Sequence, residues 1–181
     1  MKIINLVKKV FKVGLFSTEA AVRLAYFLLA SVVIISVTYL FGYHILVGTL
    51  KGGDGGYAEH NVEWYGKYSP RVPFWYPVQG GGFALTLSYS LAPTLLANTI
   101  STWKDLTPVQ SLRLVVFGSY LLGAFGVYFL SSLRLKNQTV GLLGAVGYLL
   151  IPATWFWILK LGYYGFVAGI GFIPWVFLVF D

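Results

Sequence analysis

The chain has 181 residues, 57% of them hydrophobic and 10% charged, with no cysteine and a formal net charge of +7. A mean hydropathy of +0.75 on so few charges excludes an ordinary water-soluble domain, and the lack of cysteine excludes disulfides, iron–sulfur clusters and thiol catalysis. Five of the thirteen basic residues precede the first long apolar run; topology and anionic lipid account for them there, so the positive charge does not indicate nucleic acid as a partner.

Residues 1–23 predict an amphipathic interfacial helix. Ile3, Val7, Val10, Phe11 and Leu15 recur at helical spacing while Lys8, Lys9 and Lys12 occupy the other face, which suits a helix lying among lipid headgroups with the N-terminus cytoplasmic. Transmembrane helix 1 is expected at 24–50. Leu24 to Leu50 is free of formal charge, and at about 1.5 Å per residue it reaches about 40 Å, more than a hydrocarbon core of about 30 Å. Residues 51–110 then read as an outer loop with juxtamembrane helices. Within it the apolar stretch 83–102 contains Pro93 and follows Gly80-Gly81-Gly82; these breakers favour an interfacial or re-entrant helix over a regular span, since polar backbone must be satisfied within protein or at the interface. Counts of Lys and Arg do not decide between the two.

Two clearer spans are expected at 111–132 and 139–159, separated by the basic turn Arg134-Leu135-Lys136. The run 164–180 carries Pro174 and reads as a fourth transmembrane or re-entrant helix. Long apolar runs with charges at their ends indicate helices rather than the alternating strands of a barrel. The expected fold class is therefore all-α, a polytopic transmembrane helix bundle, multi-pass in the plasma membrane. Reaching Asp181 directly after an apolar run, the sequence reads as part of a larger protein or as one subunit. Glycines at 118, 123 and 126 and at 141, 144 and 147 offer small faces for close packing against other membrane helices.

The chemistry concentrates between residues 51 and 82. Asp54 stands in Gly52-Gly53-Asp54-Gly55-Gly56, just beyond the first span. Its plainer reading is a turn residue or helix cap; flanking glycines also let backbone amides approach an anion while leaving the carboxylate open. From Tyr57 to Tyr68 a short helical pattern puts Glu59 and Glu63 on one face and His60 and Trp64 on the next. Asp54, Glu59, His60 and Glu63 together can hold a divalent metal ion or supply a proton acceptor; a solvated helix face is the plainer reading of the latter three. Arg71 can pair with a lipid phosphate, and the faces of Trp75 and Tyr76 suit a sugar ring or the membrane interface.

The order of features resembles the N-terminal part of the GT-C superfamily of polytopic glycosyltransferases, with the nearest likeness to the 6-pyruvoyl-tetrahydropterin-synthase-related membrane domain. The features are a charge-free first helix, a glycine-flanked Asp, the stretch Pro73 to Gly82, a run with Tyr89 and Pro93, and later Tyr148 to Pro152 and Gly162-Tyr163-Tyr164-Gly165. The resemblance implies transfer of a sugar from a polyprenyl-phosphate-type lipid donor to an acceptor on the non-cytoplasmic face. It implies Asp54 as catalytic base or metal holder, and Lys51, Arg71 and Lys160 as partners for the phosphate. Many relatives carry a second acidic residue in the next outer loop, whereas Trp155 to Gly171 holds only Lys160. A non-catalytic membrane subunit that scaffolds a larger complex is the alternative; a transporter is disfavoured because no paired charges lie within the apolar runs.

Overall fold

The computed structural model describes residues 18–47, 55–68, 75–76, 83–84, 91–156, 158 and 164–180. Seven helices dominate these residues: α1 (Thr18–Val47), α2 (Gly55–Tyr68), α3 (Leu91–Lys104), α4 (Pro108–Arg134), α5 (Gln138–Leu149), α6 (Pro152–Phe156) and α7 (Tyr164–Val179). Two short strands, β1 (Trp75–Tyr76) and β2 (Phe83–Ala84), pair antiparallel, Trp75 with Ala84 and Tyr76 with Phe83.

Helix α1 is continuous from Thr18, so residues 18–23 belong to it rather than to a separate interfacial helix. The segment Thr-Glu-Ala-Ala-Val-Arg contains no glycine or proline to interrupt it. Along its 30 residues the buried positions are Ala30, Ile34, Thr38, Gly42 and Ile45, a single stripe at helical spacing. Small side chains make this stripe a docking seam. A Cβ on Gly42 would come 2.8 Å from the Phe117 ring on α4. Thr38 satisfies its own hydroxyl on the Ile34 carbonyl at 2.7 Å, so no polar group is stranded in the seam.

The remainder of α1 is apolar and exposed, from Val22, Leu28 and Leu29 through Val32 and Leu40 to Val47. Both Glu19–Val47 and Pro108–Arg134 are long and apolar enough to cross a membrane, and only 17% of the α1 window is buried, unlike the core helix of a soluble protein.

Helices α1 and α4 run antiparallel. Phe27 meets Tyr128 and Phe129, Ala30 and Ile34 share a cluster with Tyr120 and Ala124, Gly42 meets Phe117, and Leu46 meets Arg113. The chain from 48 to 107 therefore leaves and rejoins the pair at the same end. Helix α3, with 14 residues, is about 21 Å long. It begins at Leu91, while Phe83–Ala84 is strand, so the apolar stretch 83–102 is not one helix.

Helix α4 is the centre of the bundle. A capping box starts it: Thr107 accepts from the Gln110 backbone at 3.3 Å and Gln110 Oε1 accepts from the Thr107 backbone at 3.0 Å, with Pro108 in the first turn. Two tight links join α3, α4 and α5. Asp105 and Lys136 take left-handed conformations, φ 50° and 51°, and the residues after them close bonds to Ser101 and Ser132. Asn137 then caps α5 through Thr139 and Val140. Helix α7 lies parallel to α4, with Gly171 against Ser119 and Trp175 Nε1 donating to the Leu122 carbonyl at 2.9 Å.

The expected span 139–159 is interrupted. Helix α5 ends at Leu149 and α6 restarts at Pro152, because proline has no N–H to continue the ladder and disfavours helical geometry at Ile151. The freed Leu149 carbonyl accepts from the buried Tyr120 hydroxyl. Tyr120→Phe is expected to lower unfolding stability by about 0.5–1.5 kcal/mol, the net worth of that hydrogen bond. Steric-trap unfolding in detergent measures it; an unchanged value would show that another donor replaces the phenol.

Candidate functional site

Helices α2 and α3 gather at the end of the bundle where α1 finishes and α4 and α7 begin. Arg113, one turn and a half into α4, donates from Nη1 to the carbonyl of Leu46, 3.2 Å away and next to last in α1. A guanidinium here satisfies an orphan C-terminal carbonyl and complements the helix dipole. Its Nε is buried with no hydrogen-bond partner among the described residues. Tyr164, the first residue of α7, lies within electrostatic range of it.

The inward face of α2 is formed by Ala58, Asn61, Val62 and Tyr65. Val62 joins Leu112, Val115, Val116 and Val167 in one apolar cluster, which seats α2 against α4 and α7. Several polar atoms are buried along with it. Asn61 Oδ1, the Tyr65 hydroxyl and Ser111 Oγ have no protein partner among the described residues, a concentration that marks this end as polar beneath its apolar packing.

Burial among Trp64, Leu91 and Leu95 pushes the Tyr65 phenol above the ordinary tyrosine range, because desolvation disfavours phenolate. A folded pKa above the unfolded one leaves this contribution to stability intact below about pH 10 and removes it as pH rises through the folded value. Tyr65→Phe is expected to remove one tyrosine from the late-ionising part of an ultraviolet titration; an unchanged late phase in the variant would contradict that assignment.

Two concavities flank α3. An apolar groove of about 330 Å³ lies between α3, α4 and α7, lined by Leu91, Pro93, Leu96, Val115, Gly169 and Phe172 among others. Leu96 and Phe172 are about half exposed, and Ser119, almost fully buried, gives the groove a hydroxyl. On the opposite side a polar cleft of about 520 Å³ separates α2 from the second half of α3, with Glu63, Lys67, Asn98, Ser101 and Thr102 on its walls.

Of the residues singled out in the sequence, Lys51, Asp54, Arg71 and Lys160 lie outside the described residues. Asp54 directly precedes α2 in the chain. Trp75 and Tyr76 form β1, and Glu59 lies within α2. His60 and Glu63 are exposed on that helix, with Nδ1 and Oε2 3.7 Å apart. No group of three His, Asp or Glu side chains placed to hold a metal ion occurs among the described residues.

Sequence reading missed Asn98 and Ser119 as cavity residues. An isolated Asn or Ser in an apolar helix carries no periodic signal, and only the closeness of α2 and α7 turns them inward. Comparison with protein families, curated proteins and solved structures finds no match to this chain.

Proposed function

We propose that the chain is the N-terminal part, or one subunit, of an integral membrane glycosyltransferase that moves a sugar from a polyprenyl-phosphate-type carrier to an acceptor on the non-cytoplasmic face. The carrying observation is the return of the chain to one end of the antiparallel α1–α4 pair, which gathers α2, α3, Arg113 and both concavities there. In a bilayer that end is a membrane face, and the basic residues before the first apolar run set it on the outer side by the positive-inside rule. On this reading α3 lies at that face and does not cross.

Each part then has a chemical role. The groove beside Leu96 and Phe172 is apolar and of a volume usual for ligand sites, and it accepts part of the isoprenoid chain. Asp54 removes the proton from the acceptor hydroxyl as the bond from sugar to carrier phosphate breaks, and Lys51, Arg71 and Lys160 stabilise the departing phosphate. Arg113 adds fixed positive charge at the same end. A divalent ion held by Asp54 with Glu59, His60 or Glu63 would strengthen phosphate neutralisation.

The test is a transfer assay on the full protein purified in native-lipid nanodiscs with whatever accompanies it. Polyprenyl-phosphate hexoses labelled with tritium in the sugar serve as donors. Label is expected to move from the lipid phase to an acceptor; retention of all label on the lipid for every hexose tried would overturn the proposal.

A scaffolding subunit is the second reading, favoured by Gly118 on α4 and Gly147 on α5, which are exposed with no atom within 4 Å of an added Cβ. Co-purification of a partner that survives Asp54→Ala but is lost in Gly118→Leu would favour it.

A further inference from the structure

The cleft between α2 and α3 has a donor and acceptor pattern that the apolar groove lacks. Glu63 and Lys67, one helical turn apart on α2, stand on one wall with Gly66 between them. Asn98, Ser101 and Thr102 of α3 stand on the other, and Pro108 contributes apolar surface.

Asn98 is 8% exposed and lines the cleft, and its amide is not among the fully buried polar atoms that lack a partner. It points toward α2: a Cβ on Gly66 would lie 3.2 Å from Asn98 Oδ1. The two hydroxyls opposite Glu63 have already committed their protons. Ser101 donates to the Leu106 carbonyl at 2.6 Å and Thr102 to the Asn98 carbonyl at 3.0 Å, so both oxygens face the cleft as acceptors.

The walls therefore combine acceptors, namely the Glu63 carboxylate, Ser101 Oγ, Thr102 Oγ1 and Asn98 Oδ1, with donors, the Lys67 ammonium and the Asn98 amide. Glu63 and Lys67 cancel in formal charge, which disfavours a strongly charged ligand of either sign. Neighbouring hydroxyls on a sugar ring both donate and accept, and the ring's C–H face suits Pro108. A volume of about 520 Å³ accommodates such a ring with its waters.

We infer that the α2–α3 cleft binds a neutral sugar ring, with Asn98 as the buried residue that fixes its orientation. This rests on the proposed glycosyltransferase reading for its purpose, as the seat of the acceptor glycan, but its geometry stands apart from Asp54 and the groove.

Saturation-transfer NMR on the full protein in nanodiscs tests it, with methyl glycosides of glucose, galactose, mannose and N-acetylglucosamine as probes and inorganic phosphate as the anionic control. Saturable binding of at least one glycoside in the millimolar range is expected, weakened at least tenfold by Asn98→Leu and by the exposed, fold-neutral change Glu63→Gln. No saturable binding of any glycoside, or binding indifferent to both variants, overturns the inference. Phosphate competing equally well would also overturn it by showing a plain anion site. Sugar binding without lipid-linked transfer would keep the cleft and remove the transferase reading; transfer that persists in both cleft variants would do the reverse.

Discussion

Gly171→Ala is expected to pull α7 away from α4 and to be the most destabilising single-methyl change in the bundle. An added Cβ would overlap the Ser119 carbonyl oxygen and lie 3.0 Å from its carbonyl carbon. These are backbone atoms in the middle of α4 and have no rotamer to escape into, so the helices must separate. Separation would also stretch the bond from Trp175 to the Leu122 carbonyl and loosen Val167 and Ala168 from the core. Overpacking of this kind costs about 3 kcal/mol. Gly118→Ala is the matched control, because nothing lies within 4 Å of its Cβ; helix propensity alone would make it neutral or stabilising by up to about 1 kcal/mol. Steric-trap unfolding of both variants in one detergent gives the comparison. Equal stability in the two would show that α7 does not lie on α4 at this height.

If the chain transfers a sugar as proposed, Asp54→Ala is expected to lower that transfer by at least a hundredfold while leaving the unfolding midpoint close to that of the parent protein. A general base contributes about 10²–10⁴ in rate, so the loss is larger than a single binding contact in the segment between α1 and α4 would produce. The contrasting role is structural. Asp54 directly precedes α2 in the chain, and alanine in place of a capping residue costs about 1 kcal/mol of stability with no intrinsic effect on chemistry. Measuring rate and stability on the same preparation separates the two. A variant that keeps more than a tenth of the rate but melts earlier is a cap mutant, and the catalytic assignment fails. Asn98→Leu should hold turnover at saturating acceptor, and where the acceptor seats in the α2–α3 cleft its Michaelis constant rises.

How much was legible in the sequence differs element by element. The long charge-free run announced α1, since a stretch with no charge over that length has no stable place in water. The run 139–159 was read as one span because hydropathy counts side chains, whereas the break at Ile151 is a backbone effect of Pro152. The turns at Asp105 and Lys136 carried no glycine to announce their left-handed conformations. His44 is exposed beside the Tyr43 ring, because α1 docks by only one narrow stripe.

Composition and periodicity by themselves determined the helical class, the two longest helices, the short helix α2 and the glycine-flanked Asp54, because each follows from local propensity and from the solvent that an apolar run requires. Only the tertiary structure decided that residues 48–107 start and finish at one end of the α1–α4 pair, since charge counts left both paths open and the antiparallel contacts from Phe27 with Tyr128 to Leu46 with Arg113 permit one. It also decided which glycines are contact points. Gly123, Gly126, Gly141 and Gly171 admit a neighbouring helix and Gly118 and Gly147 do not, a distinction that depends on what packs opposite each residue and is not contained in spacing along one helix.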